Sequence, residues 1–276
     1  MPRAQKKVAE KTLNKARRKD SDRAVTKLTE NIDGELRFIS QPPLVVPLRD
    51  LVAQRKDSPF PAPTDEELHV LFDVALAGYR HSLSNDKQWL IDRYHATDIA
   101  RKVVGVGSVG TRAWVIVLQG EDLDDHLMLQ IKQAQESVLE CFVGKSAYPK
   151  HSQRVVEGQR AMQSSSDILL GWTPSVPQGF RKQPVDYYVR QLWNGKGSVD
   201  LSIIQPKGLE MLGRACGWTL AHAHARTGNR YAIAGYLGNG SAFDQALLEF
   251  SQRYADQNQK DYERFLEALD NGELPK

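Results

Sequence analysis

The stretch Gly105-Val-Gly-Ser-Val-Gly110-Thr-Arg-Ala-Trp-Val-Ile-Val-Leu118 decides the fold class of this chain. Three glycines with the spacing G-x-G-x-x-G stand directly before a run of aromatic and β-branched residues, which favour strands. A dinucleotide-binding fold needs a helix at that point, because the helix N-terminus must face a pyrophosphate. The sequence therefore predicts a strand, a glycine loop and a second strand, and it disfavours a dinucleotide-binding oxidoreductase.

The order strand, glycine loop, strand is the one with which protein kinases cover the phosphates of ATP. Glycine suits such a loop because backbone N–H groups can approach phosphate oxygens without a Cβ in the way. In kinases a third strand carries a lysine that reaches the phosphates, and Leu129-Gln-Ile-Lys132 supplies one here. Strand alternation places Lys132 on the face opposite Ile131. The predicted nucleotide-binding residues of this region are Gly105, Gly107, Ser108, Gly110 and Lys132.

A lysine on a half-buried strand needs a partner, which in kinases is a glutamate on the next helix. A helix is predicted over residues 153–165, and Glu157 within it is the best candidate for this partner. Glu136 and Glu140 follow the lysine strand too closely to occupy the middle of a helix. The sequence thus predicts an ion pair between Lys132 and Glu157.

Each of these features has a simpler interpretation that the sequence leaves open. The glycine loop can be an ordinary hairpin turn, and Lys132 can be a solvated lysine on an edge strand. Glu157 can be an exposed partner of Arg154 or Arg160, which stand at helical spacing from it. The three features occur in the kinase order, and that order is more specific than any one of them.

The stretch Tyr187-Tyr-Val-Arg-Gln-Leu192 predicts a strand that would lead to the hinge between two kinase lobes. The backbone groups around Arg190 and Gln191 would then bond an adenine; the alternative is an ordinary core strand. A kinase also needs a carboxylate loop after the first large helix of its second lobe, predicted here over residues 207–226. No aspartate follows that helix before Asp244, so no catalytic residue is identified.

Two polar groups near the C-terminus have a metal-binding alternative. His222 and His224 stand two residues apart, which on a helix directs them to different sides, so one core and one surface histidine are expected. The segment Asp256-Gln-Asn-Gln-Lys-Asp261 is predicted to be a solvated helix face, with a magnesium site as the alternative.

The chain is predicted to have an α+β fold, because its strands are grouped before its helices. Residues 1–63 form a basic helical segment with a short hairpin at Asp33-Gly34 and an extended proline-spaced connector over residues 42–63. Residues 64–192 hold two helices, the sheet with its glycine loop, and strands at 168–170 and 187–192. Residues 193–276 are helical, with the last two helices expected at 242–254 and 256–269.

The composition is that of a soluble globular protein: 276 residues, 41% hydrophobic, 26% charged and a net charge of +3. No apolar run approaches the roughly 18 residues of a membrane span. The two cysteines imply neither a disulfide framework nor a metal site, and a cytoplasmic location is expected. Residues 1–20 hold eight Lys or Arg against two acids, but no aromatic residue interleaves them, so nucleic-acid binding is disfavoured.

Several segments of the sequence resemble those of the bacterial domain-of-unknown-function family 2252. The segments that carry the resemblance are Lys102-Val-Val-Gly-Val-Gly-Ser-Val-Gly-Thr-Arg112, Leu129-Gln-Ile-Lys132, Ser137-Val-Leu-Glu140, Gln153-Arg-Val-Val-Glu-Gly-Gln-Arg160, Ser166-Asp-Ile-Leu-Leu-Gly-Trp172, Tyr188-Val-Arg-Gln-Leu192, Cys216-Gly-Trp-Thr-Leu-Ala-His-Ala-His-Ala-Arg226 and Tyr254-Ala-Asp-Gln-Asn258.

The resemblance implies a kinase-like fold of which this chain is the C-terminal portion. Members of the family are longer and carry Gly-Asp-x-His-x-x-Asn and Asp-Phe-Asp-type segments, similar to aminoglycoside-kinase catalytic loops, before the part that matches here. The expected function is the ATP-binding portion of a phosphotransferase that is inactive alone, with ATP and Mg²⁺ as cofactors and a small molecule or a protein as acceptor. The alternative is a pseudokinase-type binding or regulatory module.

Overall fold

The structure, a computed structural model, describes residues 21–53, 64–103, 105, 110–176, 185–192 and 199–274. The chain divides into two compact units between Leu220 and Ala221. The first unit contains a six-stranded antiparallel sheet, a separate two-stranded hairpin and several helices. The predicted α+β class is confirmed in this mixed architecture. The division falls within a long helix, whereas the sequence placed its boundary at residues 192–193.

The elements follow one another in chain order. The first part of the chain contains α1 Ser21–Leu28, β1 Thr29–Ile32, β2 Glu35–Phe38, β3 Val45–Pro47, α2 Leu48–Ala53, α3 Asp65–Arg80 and α4 Asn85–Ile91. The middle part contains β4 His95–Lys102, β5 Ala113–Gln119, β6 His126–Ala134, α5 Glu140–Val143, α6 His151–Met162, β7 Gly171–Val176 and β8 Val185–Gln191. The last part contains α7 Pro206–Thr227, α8 Arg230–Leu237 and α9 Ala242–Asp270.

The strands of the large sheet lie in the order β3-β4-β5-β6-β8-β7, and all neighbours are antiparallel. β4, β5 and β6 form a meander whose connections are the glycine loop, as the sequence predicted, and an acidic turn after Gly120. β5 lies inside the meander and is buried along almost its whole length, which explains its β-branched composition. α6 lies between β6 and β7 in the chain, and β6 pairs with β8.

The sheet has two covered faces. On one face, Ala100, Val115, Val117 and Met128 pack against α1 and the β1–β2 hairpin. We call this the lysine face, because Lys132 shares the strand parity of Met128 on β6. On the other face, the apolar side chains of the central strands pack against α3 and α4, chiefly through Tyr79, Leu83 and Ile91 of the helical segment and Ile116, Leu118, Leu129 and Val189 of the strands.

The predicted hairpin at Asp33-Gly34 is confirmed as β1–β2. Both turn residues have positive φ, 53° and 86°, as a tight two-residue hairpin turn requires. The hairpin is fastened to the large sheet by two buried side chains of β4: Thr97 donates to Leu36 O at 2.8 Å, and Asp98 accepts from Phe38 N at 2.8 Å. These contacts hold the hairpin over the lysine face.

Two predictions in the first unit are wrong. The extended surface connector over residues 42–63 contains β3, whose Val45 and Val46 are buried, and it contains α2. Proline is tolerated in β3 because this strand is at the edge of the sheet. The predicted strand at residues 168–170 is a turn that buries Leu169 and Leu170, and the strand begins at Gly171. Here burial, and not pairing, explains the apolar run.

The helical part also differs from the prediction at two places. Residues 230–237 form α8. Its N-cap is Asn229, whose side chain accepts from the N–H groups of Tyr231 and Ala232. The predicted pair of helices over residues 242–269 is the single helix α9, because neither glycine nor proline interrupts residues 254–256. More than one helix packs on the sheet, since α1, α3 and α6 all contact its strands.

Candidate functional site

Lys132 lies in a row of residues that crosses the sheet beside the glycine loop. In the strand register Ala113 pairs with Lys132, Lys132 with Tyr188, and Tyr188 with Trp172. Continuing the β4–β5 register by one residue beyond Arg101 and Trp114 places Lys102 next to Ala113. All five members of the row point to the lysine face, because directly opposed residues of neighbouring strands share a face.

Arg190 adds a third cation in the next row of the same face. It lies opposite Gln130 in the β6–β8 register, and its guanidinium donates two hydrogen bonds of 3.3 Å to Gln130 Oε1. Gln130 is buried, whereas Arg190 is half-buried. The glutamine therefore fixes the direction of the arginine next to Lys132 without neutralising its charge.

Burial and a neighbouring cation disfavour the charged form of each lysine. The pKa of Lys132 lies below its usual value because of desolvation by burial and the nearby charge of Arg190. Desolvation by burial also lowers the pKa of Lys102, and the positive charge of Lys27 on α1 lowers it further. Beside them, burial raises the pKa of Tyr188, which keeps its phenol neutral at ordinary pH. A bound anion would offset the repulsion between Lys132 and Arg190.

The glycine loop joins the two strands that carry Lys102 and Ala113. Gly110 has a φ of 79°, a left-handed conformation that favours glycine, and a Cβ added at Gly105 would meet nothing within 4 Å. The far end of the loop is fixed to β6, because Arg112 N donates to Gln133 Oε1 and Gln133 N donates to Arg112 O. The predicted site residues Gly107 and Ser108 lie outside the described residues.

The helix α6 also contacts the lysine face, at both of its ends. At its start His151 N donates to Asp186 Oδ2 at 2.8 Å, and near its end Arg160 lies 5.7 Å from the ring centroid of Trp172. Asp186 and Trp172 both share the strand parity of Lys132. The helix that carries Glu157 is thus on the same side of the sheet as the lysine.

The carboxylate of Glu157 accepts a hydrogen bond from Arg160 Nη1 at 2.8 Å. This contact corresponds to the simpler interpretation of Glu157, as the partner of an arginine at helical spacing. The arginine also donates to Leu170 O, so the pair connects α6 to the start of β7. The ion pair between Glu157 and Lys132 stays a prediction.

The hinge prediction for Arg190 and Gln191 meets a geometric obstacle. Gln191 N already donates to Asp167 Oδ2 at 2.7 Å, and Leu192 N donates to Met128 O at 3.0 Å. An adenine could not use either N–H group without breaking one of these bonds. Arg190 instead contributes its side chain to the lysine face.

The polar groups near the C-terminus do not form a metal site in the described residues, where no cluster of three or more potential ligands occurs. His222 and His224 are both exposed on α7, so the expectation of one core histidine is wrong. The segment from Asp256 to Asp261 lies on α9, where Gln257 bonds Asp261 at helical spacing, as expected of a solvated helix face.

Sequence reasoning missed Lys102 and Tyr188. The signal for Lys102 was its position three residues before Gly105, at the end of a strand. The strand that carries Lys102, β4, begins at His95. The face of the sheet on which Lys102 lies can be assigned only from the pairing register of the whole strand, which the sequence does not show.

Comparison with protein families identifies the chain. The model of a family described as "Uncharacterized protein conserved in bacteria (DUF2252)" matches residues 2–268. The chain belongs to this family. The match confirms the resemblance found in the sequence; that the chain corresponds to the C-terminal portion of longer members stays a prediction. Neither a curated protein nor a solved structure matches the chain.

None of the helices in the described parts of the chain has both the length and the apolar character that crossing a membrane requires. The longest helix, α9, is rich in charged and amide side chains.

Proposed function

We propose that this member of the DUF2252 family binds a nucleotide, with the phosphates on the lysine face beside the glycine loop. The observation that carries the proposal is the position of Lys132 on the third strand of a meander whose first two strands are joined by the glycine loop. Backbone N–H groups of a glycine loop and a strand-borne lysine are the two parts that kinases use to hold phosphates.

Charge supports the same assignment. Three half-buried cations, Lys102, Lys132 and Arg190, occupy neighbouring positions on one face. A group of cations attracts an anionic ligand, and phosphate is the anion that glycine loops are suited to bind.

The position of α6 supports a kinase-like interpretation of the sheet. In kinases the helix after the lysine strand carries the glutamate that pairs with the lysine. Here α6 follows β6 and contacts the lysine face at both ends. Rotation of the Glu157 side chain from Arg160 to Lys132 on nucleotide binding is part of the proposal. Phosphotransferase activity that uses Mg²⁺ is a further part of the proposal. An assay of phosphate transfer from labelled ATP to candidate acceptors would test it.

The first prediction is that ATP stabilises the purified chain against heat. A ligand at 100 times its dissociation constant adds about 2.7 kcal/mol to the unfolding free energy, which for a chain of this size raises Tm by several degrees. Differential scanning fluorimetry with ATP, with and without Mg²⁺, measures the shift. In Lys132→Gln the shift should disappear.

The matched control for this variant is Lys145→Gln, at an exposed position in the loop before α6. It removes the same charge away from the sheet and should keep the full ATP-induced shift. An unchanged shift in Lys132→Gln, or no shift in the folded wild-type chain, would refute nucleotide binding at this site.

A further inference from the structure

We propose that the face of the sheet opposite the lysine face carries a second anion site, which binds a small-molecule phosphate monoester. We call it the arginine site, and it consists of Arg101, Arg112, Trp114 and Gln133. The two arginines stand on either side of the glycine loop, at the ends of the strands that the loop joins. The site is independent of the proposed nucleotide site, because it uses none of the side chains assigned to nucleotide binding.

The strand register brings the four residues of the arginine site together. Arg101 lies opposite Trp114 in the β4–β5 register, and Trp114 lies opposite Ile131 on β6. Ile131 packs on the apolar cluster beneath α3 and α4, so all three residues share that face. Arg112 and Gln133 stand two residues further along the chain segments, and strand alternation puts them on the same face. Diagonal neighbours of this kind are about 7–8 Å apart, which is within the reach of arginine side chains.

Arg112 carries a buried donor that has no acceptor. Its Nη1 atom is excluded from solvent and makes no hydrogen bond, and its guanidinium forms no ion pair within the described part of the chain. Buried polar groups in proteins are almost always hydrogen-bonded, so this donor calls for an explanation. An oxyanion bound by the guanidinium supplies both the acceptor and the counter-charge. The side chain can turn towards such a ligand without breaking a hydrogen bond.

Gln133 adds a second donor next to Arg112. Its Oε1 atom accepts from Arg112 N at 3.1 Å, and its backbone N–H group donates to Arg112 O at 2.9 Å. Because the amide oxygen is already used, the Nε2 group is left as a donor, and it has no acceptor among the described residues. The amide and the guanidinium are therefore two donors without acceptors at neighbouring positions, an arrangement that recognises an anion.

The charge of the arginine site favours a phosphate monoester over a carboxylate. Arg101 is exposed and, like Arg112, forms no ion pair with any residue that the structure describes. The strand residues beside the two arginines on this face are apolar: Val46, Ile99, Val103 and Ile131. A phosphate monoester carries about 1.5 to 2 negative charges at neutral pH, close to the two positive charges of the site. Guanidinium groups also bind phosphate oxygens in pairs.

Trp114 supplies an apolar surface for the organic part of the ester. It lies directly opposite Arg101 and is half-buried, so part of the indole ring faces solvent. An aromatic ring can stack on this surface, whereas inorganic phosphate has no group that could do so. The site is confined to four side chains at one corner of the sheet, which fits a small molecule better than a phosphorylated protein.

The experiment measures the binding of phenyl phosphate, inorganic phosphate and benzoate to the full chain by isothermal titration calorimetry. We expect phenyl phosphate to bind about tenfold more tightly than benzoate, which has the same ring and a smaller charge, and about threefold more tightly than inorganic phosphate. Arg112→Gln should lower the affinity for phenyl phosphate about tenfold, the effect of one lost charge-assisted hydrogen bond. Arg93→Gln is the matched control, because Arg93 is exposed and stands before the opposite end of β4. It should not change the affinity.

The variant Lys132→Gln separates the arginine site from the lysine face and should bind phenyl phosphate as the wild type does. Equal losses in Lys132→Gln and Arg112→Gln would put the ligand on the lysine face and refute a second site. Arg101→Gln changes an exposed residue, should also weaken binding, and keeps the test valid should Arg112→Gln not fold.

The ligands test the chemical class. Benzoate that binds as tightly as phenyl phosphate refutes the phosphate assignment, and inorganic phosphate that does so refutes the role of Trp114 in binding an ester. A phosphotyrosine peptide that binds much more tightly than phenyl phosphate refutes the assignment to a small molecule. The absence of phenyl phosphate binding in the folded wild-type chain refutes the site.

Discussion

At the scale of the residue, Lys102 is expected to destabilise the folded chain. Burial and the charge of Lys27 both lower its pKa, so its charged form is less favourable in the folded state than in the unfolded one. Lys102→Met removes this unfavourable term and keeps the apolar stem of the side chain. We expect the variant to unfold at a Tm about 1–2 °C higher near pH 7.

The dependence of this gain on pH distinguishes it from a packing effect. Between the lowered pKa and the ordinary value of 10.5, the unfolded chain binds more protons than the folded chain, so wild-type stability rises with pH in this window. The variant lacks that rise. Urea unfolding of both proteins from pH 7 to pH 10.5 should show the gain shrinking as the pH approaches the ordinary value; a gain that stays constant would contradict the electrostatic explanation.

The sequence predicts the face to which a side chain points when that face depends on a single regular strand. The period of two placed Lys132 opposite Ile131 correctly, because β6 is regular over its whole length. It failed for Lys102, whose face depends on the start of β4. It also could not decide between Lys132 and Arg160 as the partner of Glu157, because that choice depends on side-chain distances between elements.

At the scale of the element, Asp98 joins the hairpin and α2 to the large sheet. Its carboxylate is buried on β4, accepts from Phe38 N and Ile99 N, and forms an ion pair with Arg49 of α2. Asp98→Ala leaves the Phe38 N–H group and the arginine without these bonds. Removal of one partner of such a pair costs about 2–4 kcal/mol in unfolding free energy.

Urea unfolding monitored by circular dichroism measures this loss, and Asp124→Ala in the exposed acidic turn is the matched control. We expect the control to change the unfolding free energy by less than about 0.5 kcal/mol. An Asp98→Ala variant as stable as the control would contradict the role of Asp98 as a junction between three elements.

The elements that the sequence predicted well are those with local signals. The hairpin at Asp33-Gly34 follows from turn chemistry, and the meander follows from β-branched runs separated by glycine or acidic residues. β3 could not be predicted from its own three residues, because an edge strand of this length is defined by its partner β4. The pairing of β6 with β8 is likewise a property of the sheet and has no local signal.

At the scale of the whole molecule, the two units differ in how much of their surface is buried. In β5 six of seven residues are buried, and the strand is bonded on both sides. α9 is 29 residues long and has no buried residue. Its apolar side chains, among them Phe243, Leu247, Phe250 and Tyr254, are exposed. Tertiary packing supplies most of the stability of protein helices, so α9 has little beyond its own hydrogen bonds.

Hydrogen–deuterium exchange followed by mass spectrometry should therefore separate the two units. Amides of β5 and β6 open only when the sheet unfolds, whereas those of α9 open by local unfolding at a much lower free energy. We expect α9 to exchange at least about 100-fold faster than β5, which corresponds to a difference of about 2.7 kcal/mol in opening free energy. The same rates at tenfold dilution serve as the control for association between chains. Protection of α9 equal to that of β5 would contradict this prediction, and it would mean that the exposed apolar side chains of the helix are covered in solution.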